Sequence, residues 1–134
     1  MITLEEFKKV EIRAGKILSA EKIPDTDKLL KLMVDFGESK EIAIEVDSIA
    51  TSEAQSVGVK RTEPKPRQII SGIAPYFPDP AVLVGKTCMF VTNLEPRVIR
   101  GFESNGMLFA VSDDAGHFSL LEPNGSISPG TAAK

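Results

Sequence analysis

The stretch Val10-Glu11-Ile12-Arg13-Ala14-Gly15-Lys16-Ile17 decides the fold. Val10, Ile12 and Ala14 alternate with Glu11, Arg13 and Gly15, the two-residue period of a half-buried strand. Gly15 inside that pattern predicts a bulge or sharp bend, as small barrels need where a strand turns a corner. The strand is expected to run on to Ile23 and to end at Pro24-Asp25-Thr26-Asp27, which is turn chemistry.

Upstream, Thr3-Leu4-Glu5-Glu6 reads as a capping box, with Thr3 as N-cap and Glu6 three residues on. It predicts a short helix over 4–9 that buries Leu4 and Phe7. Downstream, further strands are expected over 29–37, 67–73, 86–94, 106–112 and 118–121, separated by turns rich in Gly, Pro and Asp. Pro78-Asp79-Pro80 predicts a short helical segment before the fourth strand. Five or six strands with one helical insertion indicate an all-β, closed or nearly closed barrel. The pattern alone does not separate an oligonucleotide/oligosaccharide-binding (OB) barrel from other small barrels.

Residues 38–66 fit this pattern less well. Ile42, Ile44 and Val46 alternate with Ala43 and Glu45, so an extra strand is admissible. Thr51 to Gln55 is polar without a period, and Glu63-Pro64-Lys65-Pro66 should be extended. The expectation is a hairpin-like excursion or a partly disordered loop.

At 134 residues, with 42% apolar and 26% charged residues, the chain reads as one domain, 1–134, with a core of its own. No apolar run approaches a membrane span, and the acidic N-terminus has no signal-peptide hydrophobic region, so no membrane contact and a cytoplasmic location are expected. Cys88, the one cysteine, lies in the apolar run 87–91 and reads as a buried structural thiol. The net charge of −3 is unevenly spread. Residues 1–59 carry 8 basic and 12 acidic groups, 60–101 carry 7 and 3, and the remainder 1 and 4. A basic middle third between acidic flanks suits either a local phosphate-binding patch or a solvated face.

Catalytic constellations are absent from the sequence. His117, the one histidine, stands in a turn without partners for general-base or metal work. No GxxxxGK[ST] or GxGxxG phosphate loop occurs. No enzyme activity, cofactor or metal is expected. The segment 93–108, N-L-E-P-R-V-I-R-G-F-E-S-N-G-M-L, is the most informative. Pro96 and Gly101 bracket a tight β-connection that presents Arg97 and Arg100, guanidinium groups suited to phosphate oxygens. Ser104 offers a hydroxyl to a phosphate or sugar, and Met107 a polarisable apolar surface to a base. The same residues also suit a hairpin with solvated arginines and a core methionine.

The chain resembles the tRNA-binding domain family found at the C-terminus of bacterial and archaeal methionyl-tRNA synthetases. That family also includes free-standing tRNA-binding proteins and the endothelial monocyte-activating polypeptide domain. The matching blocks, in the family's order, are F-x-K-V-E-I-R-A-G-K-I (7–17), P-D-T-D-K-L-L (24–30), V-D-F-G (34–37), Q-I-I-S-G-I-A (68–74) and 93–108. The resemblance implies a five-stranded Greek-key OB-fold barrel with a short N-terminal helix, a short helix before the fourth strand and a C-terminal extension. It implies tRNA binding through shape and backbone, without catalysis. Position by position, Lys28, Ser104 and Met107 match the family's tRNA-binding face. Asn93, Arg97 and Arg100 match its basic loop, and Arg13 and Lys16 extend the surface.

The chain departs from the family at Glu95, where a phosphate-compatible residue is usual, and at the longer 38–66 excursion. Lys60, Arg61, Lys65 and Arg67 would make that excursion an added basic arm; the alternative is an unrelated insertion. Free-standing members pair through the barrel and its C-terminal extension, so a homodimer is expected, with an aminoacyl-tRNA synthetase as a further partner. Two other readings stand beside this one. One is a dimeric polypeptide-binding chaperone related to the same fold, and the other is a docking module of a synthetase.

Overall fold

A computed structural model describes residues 1–44 and 59–134. The chain opens with α1 (Leu4–Phe7), β1 (Ile12–Lys22), β2 (Leu30–Asp35) and β3 (Ser39–Ile44). It continues with β4 (Val59–Pro64), β5 (Arg67–Ser71), two 3-10 turns (Ala74–Tyr76 and Pro80–Leu83) and β6 (Thr87–Val91). Five short strands follow: β7 (Arg97–Ile99), β8 (Phe102–Ser104), β9 (Met107–Leu108), β10 (Ala110–Ser112) and β11 (Phe118–Leu120).

β1 is the hub. The five-stranded sheet has the order β5-β2-β1-β6-β9, and every pairing in it is antiparallel. The edges approach each other, since Asn105 N–H donates to the Gln68 carbonyl across 2.9 Å. The result is a nearly closed OB-like barrel, as expected from the run of short strands. On β2 the residues alternate strictly: Leu30, Leu32 and Val34 are buried while Lys31, Met33 and Asp35 are half-buried. Ile17, Ile69, Phe90, Leu108 and Leu83 fill the same interior, and Phe36 meets Phe90 edge-on at 5.2 Å. Each fully buried side chain of this kind contributes roughly 1.5–3 kcal/mol.

The bulge expected at Gly15 falls instead between Ile17 and Ser19, and what Gly15 provides is a close approach. A Cβ there would lie 2.6 Å from side-chain atoms of both Phe36 and Val34, so only glycine lets β1 approach them. The bulge then re-aims the strand. The 3-10 turn Pro80–Leu83 is the expected short helix before β6. Asp79 caps it by accepting from Ala81 N–H at 3.1 Å, and Leu83 is buried beneath it.

The described parts of the 38–66 excursion form an antiparallel pair, in line with the expected hairpin. β3 pairs with β4 from Ser39↔Pro64 to Ile44↔Val59. Val46 and the polar stretch Thr51 to Gln55 lie outside the described residues.

The expectation for the N-terminal helix needs correction. The capping box forms as read, with Glu6 N–H donating to Thr3 Oγ1 at 3.1 Å. The helix, however, is a single turn that buries nothing: Leu4 is 67% and Phe7 47% exposed, because no described element lies over it. The C-terminal extension folds back on its own barrel. Gly130 N–H donates to Ala14 O at 2.7 Å and Ala133 N–H to Ile12 O at 2.8 Å. The tail thus covers the part of β1 that lies beyond its pairing with β2. Among the described residues no helix is long and apolar enough to cross a membrane.

Candidate functional site

The turn after β1 and the β7–β8 hairpin meet at one end of the barrel. The turn is held at several points. Thr26 Oγ1 donates to the Ile23 carbonyl at 2.8 Å, Ile23 N–H reaches Leu29 O at 3.3 Å, and Lys28 O accepts from Ala74 N–H at 3.0 Å. With its backbone fixed, Lys28 leaves its side chain in solvent.

The hairpin pairs Arg97↔Ser104, Val98↔Glu103 and Ile99↔Phe102, leaving Arg100 and Gly101 at its tip with φ of 53° and 83°. Positive φ at both central residues is the type I′ geometry that matches strand twist. Glycine adopts it freely; arginine there costs on the order of 1 kcal/mol. The hairpin lies along the free edge of β5. Ile70 N–H donates to Ser104 Oγ at 3.0 Å, Gln68 Nε2 to Glu103 O at 2.9 Å, and the Lys31 ammonium stands 5.7 Å from the Phe102 ring centre.

Between turn and hairpin tip is a cavity of about 430 Å³, lined by Asp25, Thr26, Asp27, Lys28, Leu29, Ile99 and Arg100. Lys28 and Arg100 thus converge from distant parts of the chain, and neither makes an ion pair among the described residues. Asp25 has φ of 63°, and among the described residues it and Arg100 are the two non-glycine positions with positive φ. Both line this one cavity, and backbone strain of this kind concentrates at functional sites. The lining is chemically mixed. Lysine and arginine neutralise phosphates, whereas Asp25 and Asp27 repel them but accept hydrogen bonds from a ribose hydroxyl or a base amino group.

The other expected site residues lie elsewhere. Arg97 is exposed on the same hairpin, outside the cavity lining. Met107 is 45% exposed on β9, opposite Val91. Ser104 is 5% exposed, and its hydroxyl both accepts from Ile70 N–H and donates to Gly106 O. That withdraws it from direct ligand contact and makes it the hairpin's anchor. Asn93 is likewise occupied: its Oδ1 accepts from Glu11 N–H at 2.8 Å, and its Nδ2 donates to Lys9 O. Lys16 pairs with Asp35 while Lys22 pairs with Leu30, so about six residues of strand, roughly 20 Å, separate Lys16 from the cavity. Arg13 is further still; its Nε approaches Glu11 at 3.1 Å without a hydrogen bond. Glu95 is exposed and does not line the cavity. Asp25 and Asp27 were legible only as turn formers.

Arg67 does not extend a basic arm. Its guanidinium grips Glu38 through Nε–Oε1 at 2.7 Å and Nη2–Oε2 at 2.8 Å. Nη1 donates to Thr92 O at 2.6 Å, and the group lies 5.3 Å from the Phe36 ring centre. These bonds hold the Glu38 carboxyl below its ordinary range and raise Arg67, the Arg67 hydrogen bond being the main cause for Glu38. Lys65 is exposed beside it, and the backbone of Lys60 and Arg61 belongs to β4. Elsewhere, burial pushes the Cys88 thiol up to about 11, which leaves it protonated and inert. Among the described residues no three His, Cys, Asp or Glu are grouped to hold a metal ion.

Comparison with known proteins identifies the family of the chain. A family model described as "Putative tRNA binding domain" matches residues 53–132, more than half of the chain. The methionine–tRNA ligase of Methanoregula boonei is 43% identical over 131 residues, covering 98% of this chain and 15% of that protein. That of Thermotoga maritima is 38% identical over 130 residues, covering 96% and 16%. The chain therefore spans about 15% of the length of the curated relatives it matches. Among solved structures, a MetRS related protein from Pyrococcus horikoshii superposes with a TM-score of 0.75 at 30% identity, covering 100% of this chain and 98% of that one. The chaperone CsaA from Bacillus anthracis superposes at 0.70 with 24% identity, covering 100% and 99%, a likeness of fold. By the extent of the family match and the conserved barrel, the chain belongs to the tRNA binding domain family.

Proposed function

We propose that the chain is a non-catalytic module that holds structured tRNA at the cavity between the 24–29 turn and the tip of the β7–β8 hairpin. One observation carries this reading: two cations without ion pairs, Lys28 and Arg100, converge on a single cavity with Arg100 held in a strained backbone conformation. Arg97 and Met107 widen the surface along the hairpin and β9, and Arg13 and Lys16 act at its periphery. Ser104 and Asn93 act through the geometry they hold.

The module works in the cytoplasm, as a free-standing protein or as the appended domain of a methionyl-tRNA synthetase. It forms a homodimer. In support, Ile2, Leu4, Phe7 and Val10 all stay exposed on one chain, an apolar surface that a second copy would cover. Light scattering at tens of micromolar should give twice the chain mass; a strict monomer would remove the dimer from the proposal.

The test of binding is the anisotropy of labelled bulk tRNA across a salt series from ~50 to ~200 mM. Saturable binding that weakens log-linearly with salt, competed by many tRNA species, is expected. No binding at the low-salt end, together with suppressed aggregation of a denatured client at stoichiometric ratio, would replace this reading with a polypeptide-binding one.

A further inference from the structure

The Tyr76 ring lies flat on the Phe118 ring, with centroids 4.0 Å apart and planes 8° from parallel. Phe77 braces Phe118 edge-on at 5.8 Å, and both phenylalanines pack against the barrel core. With one face covered by Phe118, Tyr76 is still 47% exposed, so its other face is open to solvent. Hydrogen bonding immobilises its backbone: Tyr76 N–H donates to Ile73 O at 3.0 Å and Phe77 N–H to Ala74 O at 3.1 Å. The open face of Tyr76 packs against nothing in the core, which Phe118 meets in its place, and the site described above does not use it.

Its position is informative. The 3-10 turn carrying Tyr76 begins at Ala74, whose N–H donates to the Lys28 carbonyl at 3.0 Å. Two residues of such a turn advance roughly 4 Å, so Tyr76 stands at the same end of the barrel as the Lys28–Arg100 cavity. We propose that Tyr76, backed by Phe118, is a stacking platform for an unpaired base of the RNA whose phosphates lie on Lys28 and Arg100. This rests on the RNA-binding reading above. Base-on-aromatic stacking tolerates any base, because each has a π-face. A ring already fixed by its neighbour loses little freedom when a base settles on it. The occupant is therefore a splayed nucleotide from a loop or the single-stranded end of a tRNA.

The chain supplies its own probe, since Tyr76 is the one tyrosine and there is no tryptophan. Its intrinsic emission is followed as unlabelled tRNA is added to the full chain, corrected for absorbance with a free tyrosine amide. Labelled-tRNA anisotropy is read on the same protein, on Tyr76→Ala and on Tyr76→Phe. Emission should fall saturably, in step with the anisotropy. Tyr76→Ala should weaken binding by about tenfold at an unchanged salt slope, because no phosphate contact is lost, whereas Tyr76→Phe should bind nearly as well as the parent.

Saturable tRNA binding with unaltered emission and a parental affinity for Tyr76→Ala would overturn the platform and leave the cavity reading standing. If Tyr76→Ala fails to fold, wild-type emission decides alone. Absence of any anisotropy change in the parent protein would overturn the RNA reading, and the platform with it. Quenching by a denatured polypeptide but not by tRNA would reassign the ring pair to a protein ligand.

Discussion

Arg67 and Arg100 carry the same cation in opposite circumstances. Arg67 is the fastener of the barrel: both edges of a carboxylate, a carbonyl from the end of β6 and an aromatic face take up its guanidinium. Arg100 stands at a hairpin tip, in a strained conformation, with no ion pair among the described residues. A count of basic residues treats them alike and places both in the same basic third of the chain. What separates them is geometry. A guanidinium whose donors are already committed to internal acceptors has little left for a phosphate, whereas an uncommitted one beside a second cation does. If this contrast is right, mutating the first should change stability without changing affinity, and mutating the second should do the reverse.

The largest effect should come from Arg67→Ala. It removes a bidentate pair and strands Glu38, a side chain two-thirds sheltered from solvent, for a loss of about 2–3 kcal/mol in urea unfolding. The protein that remains folded should bind tRNA as before. A stable variant with weakened binding would reverse the roles of the two arginines.

Lys28→Ala and Arg100→Ala should show the opposite profile. Together they should weaken tRNA binding on the order of tenfold near 0.1 M salt, and each should reduce the salt slope by roughly one unit. Unfolding free energies from urea should stay within about 0.5 kcal/mol, and Arg100 replaced by glycine should even stabilise, since the strain at the tip is relieved. Unchanged slopes in both single variants would move the phosphate contacts away from this cavity.

Ser104→Ala sharpens the boundary between the two classes. The hydroxyl satisfies the buried Ile70 N–H, so its removal should cost about 1 kcal/mol of stability. Binding should change only as far as the hairpin loosens. A parental urea midpoint with much weaker binding would show that the hydroxyl meets the RNA after all.

Much of the fold was legible because its signals are local. The alternation in β1, the capping box and the Pro78-Asp79-Pro80 signal for a short helix each act within a few residues. The excess of exposed apolar residues around α1 was not legible, since a one-turn helix gives the same pattern whether or not something covers it. The site was half legible for a related reason. Lys28 and Arg100 stand in blocks whose turn chemistry announces exposed loops, so their availability followed from position. The internal partners of Ser104, Asn93 and Arg67 were not legible because they are remote in sequence: Ile70, Lys9 and Glu38 come alongside only when the barrel closes. Lys16 and Arg13 share a strand with the cavity's first turn, but the extended chain carries them to its other end.

The smallest effect expected is also the most specific to the Arg67 side of the contrast. Glu38 is held below its ordinary value of 4.5, chiefly by the Arg67 hydrogen bond. A carboxyl whose folded pKa lies below its unfolded one adds stability that is fully present above the unfolded value. That contribution disappears as pH falls through the folded value. The parent protein should therefore lose stability from about pH 5 downward, as the unfolded chain begins to take up a proton that the folded chain refuses. Glu38→Gln cannot titrate, so its advantage or deficit against the parent should itself depend on pH. The parent should lead at neutral pH, and its lead should shrink by something under 1 kcal/mol as the solution is acidified, a modest figure because the pair is partly exposed. Asp113 is also lowered, by the hydrogen bond from His117, but it is present in both proteins and cancels from the difference. A gap between parent and variant that stays constant from neutral pH into the acid range would mean that Arg67 does not hold Glu38 ionised in solution. The guanidinium would then keep only the Thr92 carbonyl and the Phe36 face, and the distinction from Arg100 would narrow to those contacts.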